Sequence, residues 1–383
     1  LDRDRFINVF ATFESVLAVK AAKQNIQIPQ IGNLLDNFRR MVNETIRIGL
    51  ERNITSRFRL QKEVYPILRN DLHTWYILTA VEKASAILRH YRKTKRKTSN
   101  IQKPYVEKPF LSVAKHAYKI IDGNLRLPIK PKQYFYIPLN KHTLSVLSEP
   151  NLKLGSVTLT ANTVSISFSK ETAEIEPSGY IGIDRNLDNV TTASSNGEIK
   201  SYDLSKTNRI KATYREVKSH FKRNDTRIRG KIFRKYGKKQ SDKVNQILHR
   251  VSKEIVDKAK AHSFGIAMEN LKGIRKLYRK GNSQGKQYRA KMNSWSFYEL
   301  QRQIEYKAKW VGIPVIYVPA RNTSKKCSIC GLNLMPEENR LLQCSLHGTV
   351  DRDVNAAKNI LARALRFKAD GQPSEGMVAE RQS

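Results

Sequence analysis

Every cysteine of the chain lies in one short stretch. Cys327, Cys330 and Cys344 are followed by His347, spaced C-x2-C, thirteen residues, then C-x2-H. Two-residue gaps let both ligands of a knuckle face one ion. Four such ligands satisfy tetrahedral Zn(II) with no open position, so the predicted site is structural. Gly331 and Gly348 follow the two knuckles, where a tight turn needs positive φ. The alternative, three buried free thiols and an unrelated histidine, leaves the spacing unexplained. Three clustered cysteines cannot build a disulfide framework, which points to a reducing, intracellular compartment.

Charge sets the second constraint. The 383 residues carry 71 Lys plus Arg against 34 Asp plus Glu, a net charge of +37. A folded chain this basic repels itself, so a polyanion is the expected partner, nucleic acid before a membrane surface. The basic runs are interleaved with helix-forming segments rather than flanking a hydrophobic span. No run of about 18 apolar residues occurs, so no transmembrane helix is expected. The opening LDRDRF does not read as a secretory signal.

The length predicts two or three domains. Residues 6–20 fit a strand or a helix equally. From about 30 to 92 the chain reads as helical, with Leu34, Phe38, Val42, Ile46 and Leu50 on one face and Trp75, Leu78, Ala80, Val81, Ala84 and Leu88 on another. SVTLTANTVSISFSK reads as a β-hairpin turning at Ala161-Asn162, its Val157, Leu159, Val164, Ile166 and Phe168 on one side, in a small barrel or sheet with QYFYIPL. From Gly179 come three strands, YIGID, NVTTASS and EIKSYDL, the last after an Asn196-Gly197 turn. Two helical stretches follow, the second capped by Ser241 and facing inward through Val244, Ile247, Leu248, Val251, Ile255 and Ala259. Then come the strand FGIAMEN, a basic loop, a helix capped by Ser294, the strand PVIYVP, the cysteine stretch, a helix over about 353–367 and a disordered tail. This order predicts a mixed sheet covered by helices.

Two acids end apolar strands, Asp184 in YIGID and Glu269 in FGIAMEN, and Asp353 opens the last helix. If the two strands are neighbours, the carboxylates meet at one sheet edge, where repulsion raises a pKa unless cations intervene. Hard divalent ions prefer such oxygen ligands, and a pair of them can clamp both oxygens of a phosphodiester exchange. Taken alone, Asp353 also suits a helix cap. Asp351 competes for either role and Asp188 lies near the first strand; spacing does not choose among them.

GIDRN (182–186), AMENL (267–271), TSKKCSICG (323–331) and DRDVNAAKNIL (351–361), in that order and with SWSFYELQRQIEYKAKWVGIPVIYVPA between, resemble the TnpB family of transposon-encoded, RNA-guided DNA nucleases related to type V CRISPR effectors. The likeness covers about 180–367 well and the amino-terminal half more loosely. It implies a multidomain α/β protein: a RuvC-like, RNase H-type domain (179–322 and 350–368) with an inserted zinc ribbon (323–349), a helical recognition domain (21–117) and a small β-barrel wedge domain (1–20 and 118–178), with 369–383 as tail. It implies Asp184, Glu269 and Asp353 as carboxylates for two Mg(II) ions, the last chosen over Asp351 by its place before NAA. It further implies a noncoding guide RNA, double-stranded target DNA cut next to a short flanking motif, and a cytoplasmic, nucleoid-associated protein. The family's usual fourth zinc ligand is cysteine; here it is His347.

Three basic segments are candidates for the nucleic-acid backbone: Arg92, Lys93, Lys95, Arg96 and Lys97; Lys222, Arg223, Arg227, Arg229 and Lys231; and Arg275, Lys276 and Arg279, with Tyr278 and Tyr288 able to stack on bases. Three rivals remain: a guide-directed regulator that does not cut, a RuvC-type nuclease without RNA, and a DNA-joining transposase. The presence of all three acids disfavours the first, and the zinc ribbon and basic amino-terminal half the second. The third lacks a tyrosine nucleophile constellation.

Overall fold

A computed structural model describes residues 15–369 apart from positions 70, 71, 99, 100, 131, 222, 223 and 280. Of the expected tail 369–383, Ala369 is the last residue of a helix; the rest of it and most of the ambiguous segment 6–20 lie outside the described residues. The chain divides into two compact units, Leu17–Glu171 and Thr172 onward.

In the first unit, strand β1 (Ser15–Asn25) precedes helices α1 (Gly32–Glu51), α2 (Arg57–Leu68) and α3 (Thr74–Lys95). Short strands β2 (Leu111–Val113) and β3 (Lys119–Ile121), strands β4 (Asn124–Lys130) and β5 (Gln133–Pro138), helix α4 (Lys141–Leu147) and the hairpin β6 (Lys153–Thr160)–β7 (Thr163–Ala173) complete it. The hairpin turns at 161–162 and buries Val157, Leu159, Val164, Ile166 and Phe168, as its alternation requires. QYFYIPL does not share its sheet. It forms β5 in a separate sheet β3-β4-β5, whereas the hairpin pairs in the order β1-β7-β6-β2. Strand pairing across long sequence separations leaves no mark in local periodicity.

One continuous core joins α1–α3 to both sheets through Phe38, Met41, Tyr76, Leu111, Leu127 and Val157. The Tyr76 hydroxyl donates to the Pro128 carbonyl at 2.6 Å and Thr79 Oγ1 to that of Ser112 at 2.8 Å, fixing α3 on β4 and β2. The inward face of α3 is therefore set by Tyr76 and Ile77. Trp75, expected on the core face, is 36% exposed.

The second unit is built on a five-stranded sheet. Strands β8 (Gly179–Arg185), β9 (Asn189–Ser194) and β10 (Ile199–Asp203) run as an antiparallel meander. Helix α5 (Ser205–Ser219) follows. Then α6 (Thr226–Ile228) passes through a π turn (Arg229–Phe233) into α7 (Arg234–Ala261). Strand β11 (Phe264–Asn270) pairs parallel to β8. Helices α8 (Lys286–Asn293) and α9 (Phe297–Trp310) lead to β12 (Val315–Pro319), parallel to β11. The order is β10-β9-β8-β11-β12. After β12 come β13 (Met335–Pro336), β14 (Leu341–Cys344) and β15 (Gly348–Asp351), an antiparallel three-stranded sheet, then α10 (Arg352–Ala369).

Both faces of the five-stranded sheet are covered. Ile181, Ile183, Ile266 and Met268 pack with Leu248, Ile255 and Ile304 of α7 and α9. Tyr180, Ala267 and Val318 pack on the other side with Ile360 and Ala364 of α10. Every residue of β8 is therefore buried, which is why its sequence shows no alternation. At Gly182 the α10 backbone comes so near that an added Cβ would lie 2.5 Å from the Ala357 carbonyl oxygen and 2.6 Å from the Leu361 nitrogen. Gly182→Ala is accordingly expected to cost about 1–3 kcal/mol by overpacking. A thermal melt indistinguishable from that of the parent chain would contradict this.

Two expected caps are displaced. Ser241 lies inside α7, which starts earlier at Arg234. Ser294 follows the end of α8, its Oγ donating to the Lys291 carbonyl at 2.6 Å. The residue preceding α9 is Ser296, whose side chain makes no cap bond and accepts instead from the ammonium of Lys211. Among the described residues no helix is long and apolar enough to cross a membrane.

Candidate active site and metal centre

The acids are placed by strand register. Parallel pairing of β8 with β11 sets Ile183 opposite Met268, so Asp184 and Glu269 occupy the next rung. Asp353 sits in the first turn of α10, which packs across β8. All three are buried, at 6%, 8% and 4% exposure. The competition at the helix start is resolved by hydrogen bonding. Asp351 Oδ1 accepts from the backbone N–H groups of Asp353 (2.9 Å) and Val354 (2.8 Å), so Asp351 is the cap and the Asp353 carboxylate is free to face the sheet. Asp188 is held elsewhere, by Asn208 Nδ2 at 2.5 Å.

Burial, then the charge of Glu269, and less strongly that of Asp353, push the Asp184 carboxyl up to about 7; a hydrogen bond from Asn186 and the charge of Arg340 oppose this. Neighbouring side chains hold the acids in place. Asn186 Nδ2 donates to Asp184 Oδ2 at 2.6 Å and Asn189 Nδ2 to Asp353 Oδ2 at 2.8 Å. The Thr323 hydroxyl donates to Glu269 Oε1, and the Arg340 guanidinium to Asp353 Oδ1. The guanidinium of buried Arg185 donates to the Glu269 backbone carbonyl and, at 2.7 Å, to Gln301 Oε1. Trp295 Nε1 pins the Asn186 carbonyl at 2.8 Å. Among the described residues, Asp184 Oδ1 and Glu269 Oε2 receive no protein donor. An all-oxygen edge with oxygens left unbonded, and a carboxyl destabilised by its neighbours, fits a hard divalent cation. Thr323, Arg340 and Asn189 were not singled out from sequence. Arg340 is thirteen residues from Asp353 in a turn without helical or strand pattern, and only tertiary folding brings it in.

The four predicted zinc ligands come together. Their ligand atoms all lie within 4.8 Å of one another. Cys330 Sγ is 3.6 Å from Cys344 Sγ, and His347 Nδ1 is 3.7 Å from Cys327 Sγ and 3.6 Å from Cys344 Sγ. Tetrahedral zinc with Zn–S bonds of about 2.3 Å separates its sulfurs by about 3.7 Å, so the cage has the right size. Gly331 and Gly348 take φ of +76° and +70°, as the knuckles require. Backbone N–H donation from Leu346, aided by His347, pulls the Cys344 thiol down to about 6, favouring the thiolate that binds metal. Among the described residues this is the only group of three or more His, Cys, Asp or Glu side chains so gathered; Asp184, Glu269 and Asp353 do not close to that degree.

Two asparagines fasten the knuckle to α10. Asn355 Oδ1 accepts from the Ser328 N–H and its Nδ2 donates to the Lys326 carbonyl, both at 2.8 Å. Asn359 Nδ2 donates to the Thr323 and Lys326 carbonyls at 2.8 and 2.7 Å.

The basic candidates are spread over separate segments. Arg92, Lys93 and Lys95 lie in the last turn of α3, with Arg96 and Lys97 just beyond, all exposed. Arg227 and Lys231 are exposed around the π turn that also contains the Arg229 backbone; Lys222 and Arg223 lie outside the described residues. Arg275, Lys276 and Arg279 are exposed at a 3-10 turn, Tyr278 and Tyr288 meeting edge to face at 6.1 Å. None of these described cations forms an ion pair among the described residues.

Residues 297–360 match the family model described as Cas12f1-like, TNB domain, and residues 34–128 the Uncharacterized protein MJ0013 family. A TnpB-like protein of Methanocaldococcus jannaschii is 30% identical over 278 residues, 68% of this chain and 98% of that protein. The CRISPR-associated endodeoxyribonuclease Cas12f1 of Sulfoacidibacillus thermotolerans is 37% identical over 118 residues, 29% of this chain but only 25% of its own. Among solved structures, the chain is similar to the Cas12f1 of a Cas12f1–sgRNA–target DNA complex, with TM-score 0.54 and 15% identity over 87% of this chain and 83% of that one. CasPhi-2 (Cas12j) bound to crRNA gives a TM-score of 0.50 at 9% identity, over 91% and 98%. These likenesses define a mixed α/β chain with the fold of the compact Cas12 effectors. The chain belongs to the TnpB family.

Proposed function

We propose that this protein is an RNA-guided DNA endonuclease of a transposable element, cutting double-stranded DNA beside a short flanking motif. The observation that carries the reading is the placing of three buried acids together: Asp184 and Glu269 follow the paired Ile183 and Met268 on β8 and β11, and Asp353 opens the helix packed on β8. Relatives named as endodeoxyribonucleases, and a structural neighbour solved with guide RNA and target DNA, support it. In this reading the five-stranded sheet with α5–α10 is the RuvC-like, RNase H-type domain (179–322 and 350–368), and 323–349 is the zinc ribbon. Residues 21–117 form the recognition domain, and 1–20 with 118–178 the wedge-like domain.

Asp184, Glu269 and Asp353 would hold two Mg(II), which supply Lewis-acid stabilisation of the attacking and leaving oxygens of the phosphodiester. The chain's own residues do the rest. Asn186 and Asn189 each steady one carboxylate, Thr323 orients Glu269, and Arg340 places a positive charge at Asp353, where phosphate charge can be met. Cys327, Cys330, Cys344 and His347 would bind Zn(II) and keep 323–328 folded against α10. The exposed cations neutralise phosphates, while guide pairing reads sequence.

The test is to purify the chain after expression beside its flanking element DNA and sequence the nucleic acid that copurifies. A discrete noncoding RNA, and cutting redirected when its guide segment is rewritten, are expected. Cutting that persists after RNase treatment removes the guided mechanism. Guided binding without any cutting makes the protein a regulator.

A further inference from the structure

Trp75 stands outside the core it was expected to join. It lines a cavity of about 260 Å³ at the start of α3, between that helix and the β3-β4-β5 sheet. Its ring centroid lies 4.9 Å from that of His73, tilted by 50°, and 5.1 Å from that of His116, which meets it edge to face. His73 Nδ1 accepts from the Trp75 backbone N–H, which leaves Nε2–H as a donor. On the sheet side, the Arg126 guanidinium stacks 4.4 Å over Tyr134. Lys119, Lys130 and Lys132 complete the cationic wall. No aspartate or glutamate lines the cavity, and among the described residues none of these four cations has a carboxylate partner.

Aromatic faces beside unpaired cations hold single-stranded nucleic acid: bases stack on rings while phosphates meet positive charge. The cavity is smaller than the roughly 300–1,000 Å³ of drug-sized sites, which suits one base ring and excludes a stacked duplex. An acidic peptide would use the lysines and leave Trp75 idle.

We propose that this pocket is a nucleotide subsite, taking one unpaired base of a single strand against Trp75 with its flanking phosphates on Arg126 and the lysines. It does not rest on the nuclease reading; a chain that never cuts would satisfy it equally. The strand is either RNA or an unwound DNA strand, which share this chemistry.

The test uses the full chain with labelled rU12, dT12 and a twelve-base-pair DNA duplex at moderate salt. Trp75→Ala is expected to weaken single-strand binding about five- to hundred-fold, as loss of one base stack implies, with duplex binding unchanged. Trp75→Phe should keep most of the affinity. Whichever of rU12 and dT12 loses more to Trp75→Ala identifies the strand. Arg126→Ala, which leaves the rings in place, should weaken the same probe and flatten its salt dependence. It decides the matter if Trp75→Ala melts at a lower temperature than the parent. Equal losses on single strands and duplex, no loss on either single strand, or displacement of the oligonucleotide by polyglutamate at equal charge would each overturn the proposal.

Discussion

Asp184→Asn should stop DNA cutting and, in magnesium-free buffer, stabilise the fold. The substitution keeps shape and can still accept from Asn186, but it removes a negative charge that Glu269 opposes. Cleavage is expected to fall by about 10³-fold or more, as when one member of a catalytic unit is lost, with guide-dependent DNA binding within about twofold. The stability effect has a definite sign. The folded carboxyl titrates near 7, whereas an unfolded aspartate titrates near 3.9. Between those values the folded state holds more protons, so this group's contribution to stability falls as pH rises. The melting temperature of Asp184→Asn should therefore exceed the parent's by more at pH 8 than at pH 5. No chelator is used, so any zinc stays bound. Undiminished cutting by the variant refutes the site; a melting difference independent of pH refutes its electrostatics.

Cys344→Ser should empty the knuckle. Cys344 is fully buried, lies 3.6 Å from both Cys330 Sγ and His347 Nδ1, and carries the thiol most disposed to ionise. Structural zinc in small knuckles contributes about 10–16 kcal/mol of apparent binding energy at neutral pH, so losing a thiolate is far more costly than a surface change. Zinc should drop from about one equivalent to under half by elemental analysis. The loop 323–328, released from Asn355 and Asn359, should become open to limited proteolysis. His347→Cys, which supplies another soft ligand, should keep the metal. A Cys344→Ser protein that retains a full equivalent and resists cleavage there contradicts the assignment.

Sequence made some of this site legible and hid the rest for physical reasons. Asp184 and Glu269 stood out because each closes an apolar run, and a charge there needs a partner. The four proposed zinc ligands were readable as a group because a knuckle is local. Asp353 could not be separated from Asp351 by spacing alone, since both suit a helix start; in the structure Asp351 takes the cap bonds, which supports Asp353 as the proposed ligand. Ser241 misled because Arg234–Gln240 are mostly good helix formers that extend α7 past it. Ser294 misled because the true boundary serine, Ser296, is engaged by Lys211 from α5. Thr323 and Arg340 reach the acids only through tertiary structure. Trp75 followed the period of its helix, but Tyr76 and Ile77 claimed the core.

The close approach of α10 at Gly182 has a further consequence for biosynthesis. That helix is the lid on one face of the sheet, burying Tyr180, Ala267 and Val318, and it also brings the last carboxylate. A ribosome that has delivered β8 and β11 has made two acids with nothing to complete them and a greasy surface left bare. If the proposed triad does the cutting, the edge would be finished only after the segment beyond 352 emerges, and half-made copies would be unable to cut the genome that encodes them.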